Sequence, residues 1–94
     1  VEAVSTKVSI PMLLGNATEG AREVSVTGAT LQECLDDLMR TYPLLGSHLF
    51  EADGALRRHV LILYNDQNTR WFDALDIPIQ PGDRITILQA VSGG

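Results

Sequence analysis

The sequence predicts an α+β fold in which one helix lies across one face of a small mixed sheet. Three observations carry that expectation. Four stretches have the composition and period of strands, residues 4–10, 23–26, 59–64 and 84–88. A single stretch, 30–42, repeats its apolar residues at helical spacing. The order is strand, strand, helix, strand, strand, and one helix can cover only one face of a sheet.

In chain order, Val4, Thr6, Val8 and Ile10 alternate with Ser5, Lys7 and Ser9, the period of a strand buried on one side. Pro11 cannot donate to a ladder and weakens the end of that strand. Gly15-Asn16 then begins a polar turn running to Gly20. Val24 and Val26 share one face of the second strand, so the pair reads as a hairpin with a long loop. Thr30-Leu31-Gln32-Glu33 matches a capping box, in which the Thr hydroxyl and the Glu carboxylate each satisfy an orphan backbone N–H. Leu31, Cys34, Leu35, Leu38 and Tyr42 recur along one helix face, Gln32, Asp36, Asp37 and Arg40 face away, and Pro43 stops the helix. Residues 44–54 read as an irregular connector. The third strand is apolar on both sides and ends at the Asn65-Asp66 turn pair. After a short excursion through Trp71, Phe72 and Leu75, Pro81-Gly82-Asp83 turns tightly into the last strand. The core expected from this pattern is Val8, Ile10, Leu31, Leu35, Leu38, Ile62, Ile85 and Ile87.

This order of elements is that of a β-grasp, where the first and last strands lie side by side in the middle of the sheet. Residues 1–89 then form the domain, and residues 90–94 a flexible arm leaving its most constrained strand. The arm ends in Val91-Ser92-Gly93-Gly94. A Gly-Gly pair inside a chain would serve a turn, but here no strand follows it. With no Cβ on either residue, such an arm is slim enough to carry a carboxylate into another protein's narrow active site. The competing reading is a frayed end, where glycine is also common.

Composition narrows the partners. Ninety-four residues, 45% hydrophobic and 20% charged, describe one globular domain at the small end of what buries a core unaided. A formal charge of -5 argues against nucleic acid and membrane surfaces as partners and for a basic protein surface. Cys34 is the single cysteine, which rules out an intrachain disulfide and a Cys-based metal cluster. Together with the lack of a signal pattern or a membrane-length apolar run, it makes the cytoplasm the expected location. His48 and His59 are isolated and read as surface or partly packed residues, so no metal site is expected. Cys34 has no base or positive helix end to activate it and reads as structural. Asp36 and Asp37 do not face one another on a helix and read as a solvated pair. Arg57-Arg58 read as partners of local carboxylates. No Ser/His/Asp order, P-loop or dinucleotide fingerprint is present, and the chain is not expected to be an enzyme.

With these residues in view, the chain resembles the ubiquitin-like sulfur-carrier proteins, the superfamily of the small subunit of molybdopterin synthase and the thiazole-synthesis carrier. The resemblance runs over nearly the whole chain. Val8-Ser9-Ile10-Pro11 lies in the first strand, Gly28-Ala29-Thr30-Leu31 opens the helix, and Gly54-Ala55-Leu56-Arg57-Arg58-His59-Val60 leads into the third strand. Tyr64-Asn65-Asp66 and Pro81-Gly82-Asp83 enter the turns, and Val91-Ser92-Gly93-Gly94 closes the chain. Its length, the 44–58 connector and Asn65-Asp66 look most like the cysteine-biosynthesis branch.

The resemblance implies a carrier cycle. A ubiquitin-activating-like adenylyltransferase spends ATP to adenylate the carboxylate of Gly94. A sulfur donor displaces AMP and leaves a thiocarboxylate, and a partner synthase accepts the sulfur to make cysteine or another sulfur-containing metabolite. No cofactor is implied on the carrier itself, and Ala90, Val91, Ser92 and Gly93 form the tail. In the cysteine branch the resemblance also implies a pyridoxal-phosphate-dependent synthase and a metallopeptidase that trims the adduct. Two alternatives share this tail: a ubiquitin-like protein modifier joined through Gly94 to target lysines, and the small subunit of molybdopterin synthase.

A docking surface follows from the third strand. If Val60, Ile62 and Tyr64 face the helix, Leu61 and Leu63 point to the open face, where Leu88 joins them beyond Ile85 and Ile87. A cluster of exposed leucines marks a protein-binding patch, unless the connector folds back over it through Leu49 and Phe50. The resemblance adds support, since related carriers dock through the sheet face beside the tail.

Overall fold

The computed structural model describes residues 4–89; residues 1–3 and the expected arm at 90–94 lie outside the described residues. Five strands form one mixed sheet: β1 (Val4–Ser9), β2 (Glu23–Gly28), β3 (Val60–Tyr64), β4 (Gln67–Asn68) and β5 (Arg84–Gln89). Their order across the sheet is β2-β1-β5-β3-β4. β1 and β5 run parallel in the middle with Val8 opposite Ile85, while β2 and β3 flank them antiparallel. This is the β-grasp arrangement that the element order predicts.

Alternation along each strand separates two faces. Thr6 and Val8 of β1 are buried beneath the helical layer, and Ser5 and Lys7 face out. All eight expected core residues are buried, none more than 5% exposed. Helix α1 (Leu31–Thr41) supplies Leu31, Cys34, Leu35 and Leu38 to that core. The N–H groups of its first three residues all find partners outside the helix. Thr30 Oγ1 accepts from the Glu33 N–H at 3.2 Å, and Glu33 Oε1 accepts from the Ala29 N–H at 2.9 Å, one residue earlier than in the usual box. The N–H groups of Leu31 and Gln32 donate to the carbonyls of Ile77 and Leu75, at 2.9 and 2.8 Å. The segment before β5 is thereby stitched to the start of the helix. Gly28 makes this close approach possible, because a Cβ there would stand 2.8 Å from Cys34 N and Glu33 Cβ.

The helical layer is larger than the sequence predicts. The expected connector at 44–54 begins instead with a second helix, α2 (Pro43–Leu49). Pro43 does end α1, yet its fixed φ and missing N–H suit the first position of the next helix. Leu45 and Leu49, four residues apart, are both completely buried and hold this short helix against the core. A 3-10 segment, Met12–Thr18, replaces the expected polar turn before Gly20, with Leu14 and Ala17 in the core. Thr18, also buried, donates its hydroxyl to Ala21 O at 2.8 Å. Asp37 is not simply solvated: its Oδ2 accepts from the Thr27 N–H of edge strand β2 at 3.0 Å, and its Oδ1 lies 3.5 Å from Arg40. The carboxylate covers one donor of an otherwise open strand edge.

At the end of the sheet where β3 stops and β5 starts, the two turns are tied together. Tyr64 donates its hydroxyl to Asp83 Oδ2, Asn65 Nδ2 donates to Oδ1 at 3.2 Å, and the Gln80 N–H donates to Oδ2 at 2.8 Å. Gly82, at φ +90°, takes the left-handed position of the turn between Gln80 and Asp83. Burial, then the Asp83 hydrogen bond, pushes Tyr64 up to about 12, while Tyr64 and the Gln80 N–H hold the Asp83 carboxyl below its ordinary value.

Two outcomes are expected. Leu35→Ala should cost about 2–5 kcal/mol in denaturant unfolding, the range for a buried leucine truncated in a packed core. Because the folded Asp83 pKa is depressed, its contribution is complete above the unfolded value and is lost as the pH falls through the folded one. An Asp83→Asn variant should therefore be less stable than the parent at neutral pH. The gap should close in acid, below the ordinary aspartate range.

Candidate functional site

Sequence reasoning places function in the arm and on the open face of the sheet. Gly94, with Ala90, Val91, Ser92 and Gly93, lies outside the described residues, so the structure bears on where the arm starts. β1 holds the first half of β5, through Arg84, Ile85 and Thr86, and β3 holds it from Ile85 to Gln89. Val60 is the register partner of Gln89, so the ladder reaches the last residue before the arm. A strand paired this far fixes the point from which residues 90–94 continue.

The three expected leucines stand beside that origin. Leu61 lies directly opposite Leu88 in register, and Leu63 lies opposite Thr86 on the same face. Leu61 and Leu88 are 37% and 42% exposed, and Leu63 is half-buried. Nothing in the connector covers them. Leu49 is in the core and Phe50 packs against it, both on the helical side. The faces are assigned as the strand pattern predicts.

Farther from the arm, the same face turns polar. Lys7 Nζ lies 3.5 Å from Glu23 Oε1, and Arg84 lies 3.5 Å from Glu23 Oε2 and 3.4 Å from Ser9 Oγ. One carboxylate thus sits between two cations. These side chains are well exposed, and solvent screening leaves such pairs worth little to stability.

The other candidates carry less chemistry. Cys34 is completely buried with its thiol 3.9 Å from Thr6 Oγ1, and burial raises its pKa, the opposite of activation. His48 and His59 are exposed, and among the described residues no group of three or more His, Cys, Asp or Glu could hold a metal ion. Arg57 pairs with Glu51 at 2.7 Å, as expected, whereas Arg58 has no ion pair among the described residues. A groove of about 320 Å³ opens on the helical side between Leu35, Phe50, Leu56, Ile62 and Leu75. Its polar groups are already committed: Thr69 donates to Ile62 O at 2.7 Å, and Arg70 donates to the carbonyls of Arg57 and Val60. It offers neither a nucleophile nor a base.

Those same bonds place a residue that sequence reasoning passed over. After β4, the chain runs back along the outer edge of β3 toward the arm, and Trp71 stands there 78% exposed. Met12 and Leu44, at 73% and 65%, are exposed likewise. Alternation gives no signal at an irregular edge, so an exposed tryptophan there reads like a buried one.

The family follows from the sequence profile that fits this chain. Residues 13–94 match the ThiS family. The chain belongs to the ThiS family. Over 93 residues, 97% of this ThiS-family chain and all of the relative, it is 38% identical to the sulfur carrier protein CysO of Mycobacterium tuberculosis. A chain in the crystal structure of the Amycolatopsis orientalis BexX/CysO complex superposes with a TM-score of 0.79 at 34% identity, covering 95% of this chain and 99% of that one. SAMP1 from Haloferax volcanii superposes with a TM-score of 0.77 at 31% identity, covering 96% and 99%.

In this ThiS-family domain, Leu88→Asp and Leu61→Asp should leave thermal unfolding nearly unchanged, because the new carboxylate meets water. Ile87→Asp, one residue away but facing the helices, should unfold the domain through an unpaired buried charge. Circular dichroism melts separate the two outcomes.

Proposed function

We propose that this chain is a sulfur carrier whose Gly94 carboxylate is adenylated and then converted to a thiocarboxylate. The observation that supports the reading is full-length similarity to a sulfur carrier, in a sequence that carries Gly93-Gly94. Residues 90–94, which hold that pair, follow directly on central strand β5, whose Leu88 pairs with Leu61 on the open face. The division of labour is a rigid domain at 1–89 and a delivery arm at 90–94.

The chemistry asks little of the carrier. A carboxylate is a poor electrophile until its oxygen becomes a leaving group. In the first step a Gly94 oxygen attacks the α-phosphorus of ATP and pyrophosphate departs. In the second, a sulfur nucleophile attacks the carbonyl carbon and AMP departs. Catalysis belongs to the partners: a ubiquitin-activating-like adenylyltransferase that binds the ATP, and a synthase that takes the sulfur. Similarity to CysO favours cysteine as the product, with a metallopeptidase trimming the cysteinyl adduct. Supply of ATP places the cycle in the cytoplasm. Among the described residues, no helix is long and apolar enough to cross a membrane. A second reading, conjugation of Gly94 to amines, is favoured by the likeness to a small archaeal modifier protein.

Intact mass spectrometry of protein from its native host tests the reading. The carrier shows one oxygen replaced by sulfur at the C-terminus, whereas a modifier shows the chain attached to other proteins. Deleting Gly94, or replacing Gly93 by Val, should abolish ATP–pyrophosphate exchange with the adenylating partner while the domain stays folded. Leu61→Asp or Leu88→Asp should weaken partner binding by about 1–2 kcal/mol, the behaviour of an interface anchor. Full adenylation of the Gly93→Val protein would sink the proposal.

A further inference from the structure

Seven cationic side chains stand in this sequence, and Lys7 is the single lysine among six arginines. The distinction matters for a chain whose carboxyl group is activated. An acyl adenylate is attacked by amines. Lysine's ε-amine is such a nucleophile once it gives up a proton, whereas the arginine guanidinium stays protonated. Lys7 sits in the middle of β1 on the open face, with its side chain 65% exposed and its Nζ resting against Glu23. Its strand neighbours are Ser25 on β2 and Arg84 on β5. The chain's one lysine amine is thus open to solvent, on the face that also carries Leu61 and Leu88.

Reach favours the carboxyl group of a second copy. Lys7 is level with Arg84, and β5 continues to Gln89 before the arm begins. At about 3.3 Å per residue, the root of the arm is roughly 17 Å along the sheet from Lys7. Five residues span at most about 18 Å when fully extended. Doubling back over the sheet spends part of that length on a turn. A second copy meets no such limit.

Resting on the carrier reading above, the structure assigns Lys7 as an acyl-acceptor site for the activated Gly94 of a second copy. The bond formed joins the Gly94 carbonyl carbon to Lys7 Nζ. The bond broken is that carbon's link to the adenylate oxygen. AMP leaves, and the amine proton passes to solvent. The product is a branched dimer with an unusual property. Its one free Gly94 belongs to the copy whose open face is now covered. The copy with the free face has already used its carboxyl group. Each amide therefore removes two carriers from the cycle, and it forms when activation outpaces delivery of sulfur.

The test uses the full chain with ATP and the adenylating enzyme of its own host, without a sulfur donor. ATP–pyrophosphate exchange and intact mass are followed together. The expected product has twice the chain mass less one water. Trypsin should release residues 1–22 joined through Lys7 to residues 85–94, because it cuts after Arg22 and Arg84 but not at an acylated Lys7. Lys7→Arg, which keeps a cation beside Glu23, should abolish the dimer while exchange continues in the same sample. The purified dimer should support exchange at least tenfold more slowly than the monomer. Exchange with no dimer, a dimer that persists in Lys7→Arg, or a cyclised monomer overturns the assignment. A dimer that exchanges at the monomer rate overturns the covered-face argument. No exchange with the unmodified chain overturns the carrier reading, and this inference falls with it.

Discussion

The parallel pairing of β1 with β5 is the constraint on which the rest of the structure depends. It joins the first and last strands of the chain in the middle of the sheet, with Val8 opposite Ile85 and both completely buried. Because side chains alternate, that one register decides every residue on both faces. Shifting β5 by one residue would turn Ile85 and Ile87 outward and Leu88 inward, exchanging core for docking surface. The position of the leucines and the point where β5 ends are thus two results of one pairing.

A second constraint keeps the two faces unequal. The N–H groups at the start of α1 are met by carbonyls of Leu75 and Ile77, and the Ile79 N–H donates to Ala29 O at 3.0 Å. The long segment between β4 and β5 is therefore committed to the helical side. So are α2 and the 3-10 segment after β1, through Leu45, Leu49 and Leu14. Among the described residues, these long connections are gathered on one side. The opposite face is left as bare strands, able to meet a flat partner without rearrangement.

The strands and the long helix were legible because their periods are strong. Val8 and Ile10, Ile85 and Ile87, and Leu31, Leu35 and Leu38 sit where alternation and helical spacing put them. The short elements were not legible, and the reasons are physical. α2 has seven residues including Pro43 and Gly46, too few for intrinsic helix stability, and exists because Leu45 and Leu49 find a core that distant strands complete. β4 is two residues long and paired only with the end of β3. Asp37 as a cover for the Thr27 N–H depends on where α1 crosses β2, which no local pattern contains. At the candidate site, the outward leucines could be read from β3 alone. The exposure of Trp71 could not, since it follows from hydrogen bonds between Thr69, Arg70 and the edge of β3.

The central place of β5 also makes folding a check on length. Contacts between strands at opposite ends of a chain form late, because the loop that joins them must be closed first. Here the strand that completes the middle of the sheet follows every other described strand in the chain. A chain broken between residues 69 and 83 keeps the residues of the β1–β2 hairpin and the β3–β4 ribbon but lacks the strand that joins them. Such fragments expose Val8 and Ile62 and are fit for degradation rather than for docking. A partner that recognises the finished face is therefore reading proof that β5 has been made and paired. It can engage the arm without any separate means of telling finished sheets from broken ones.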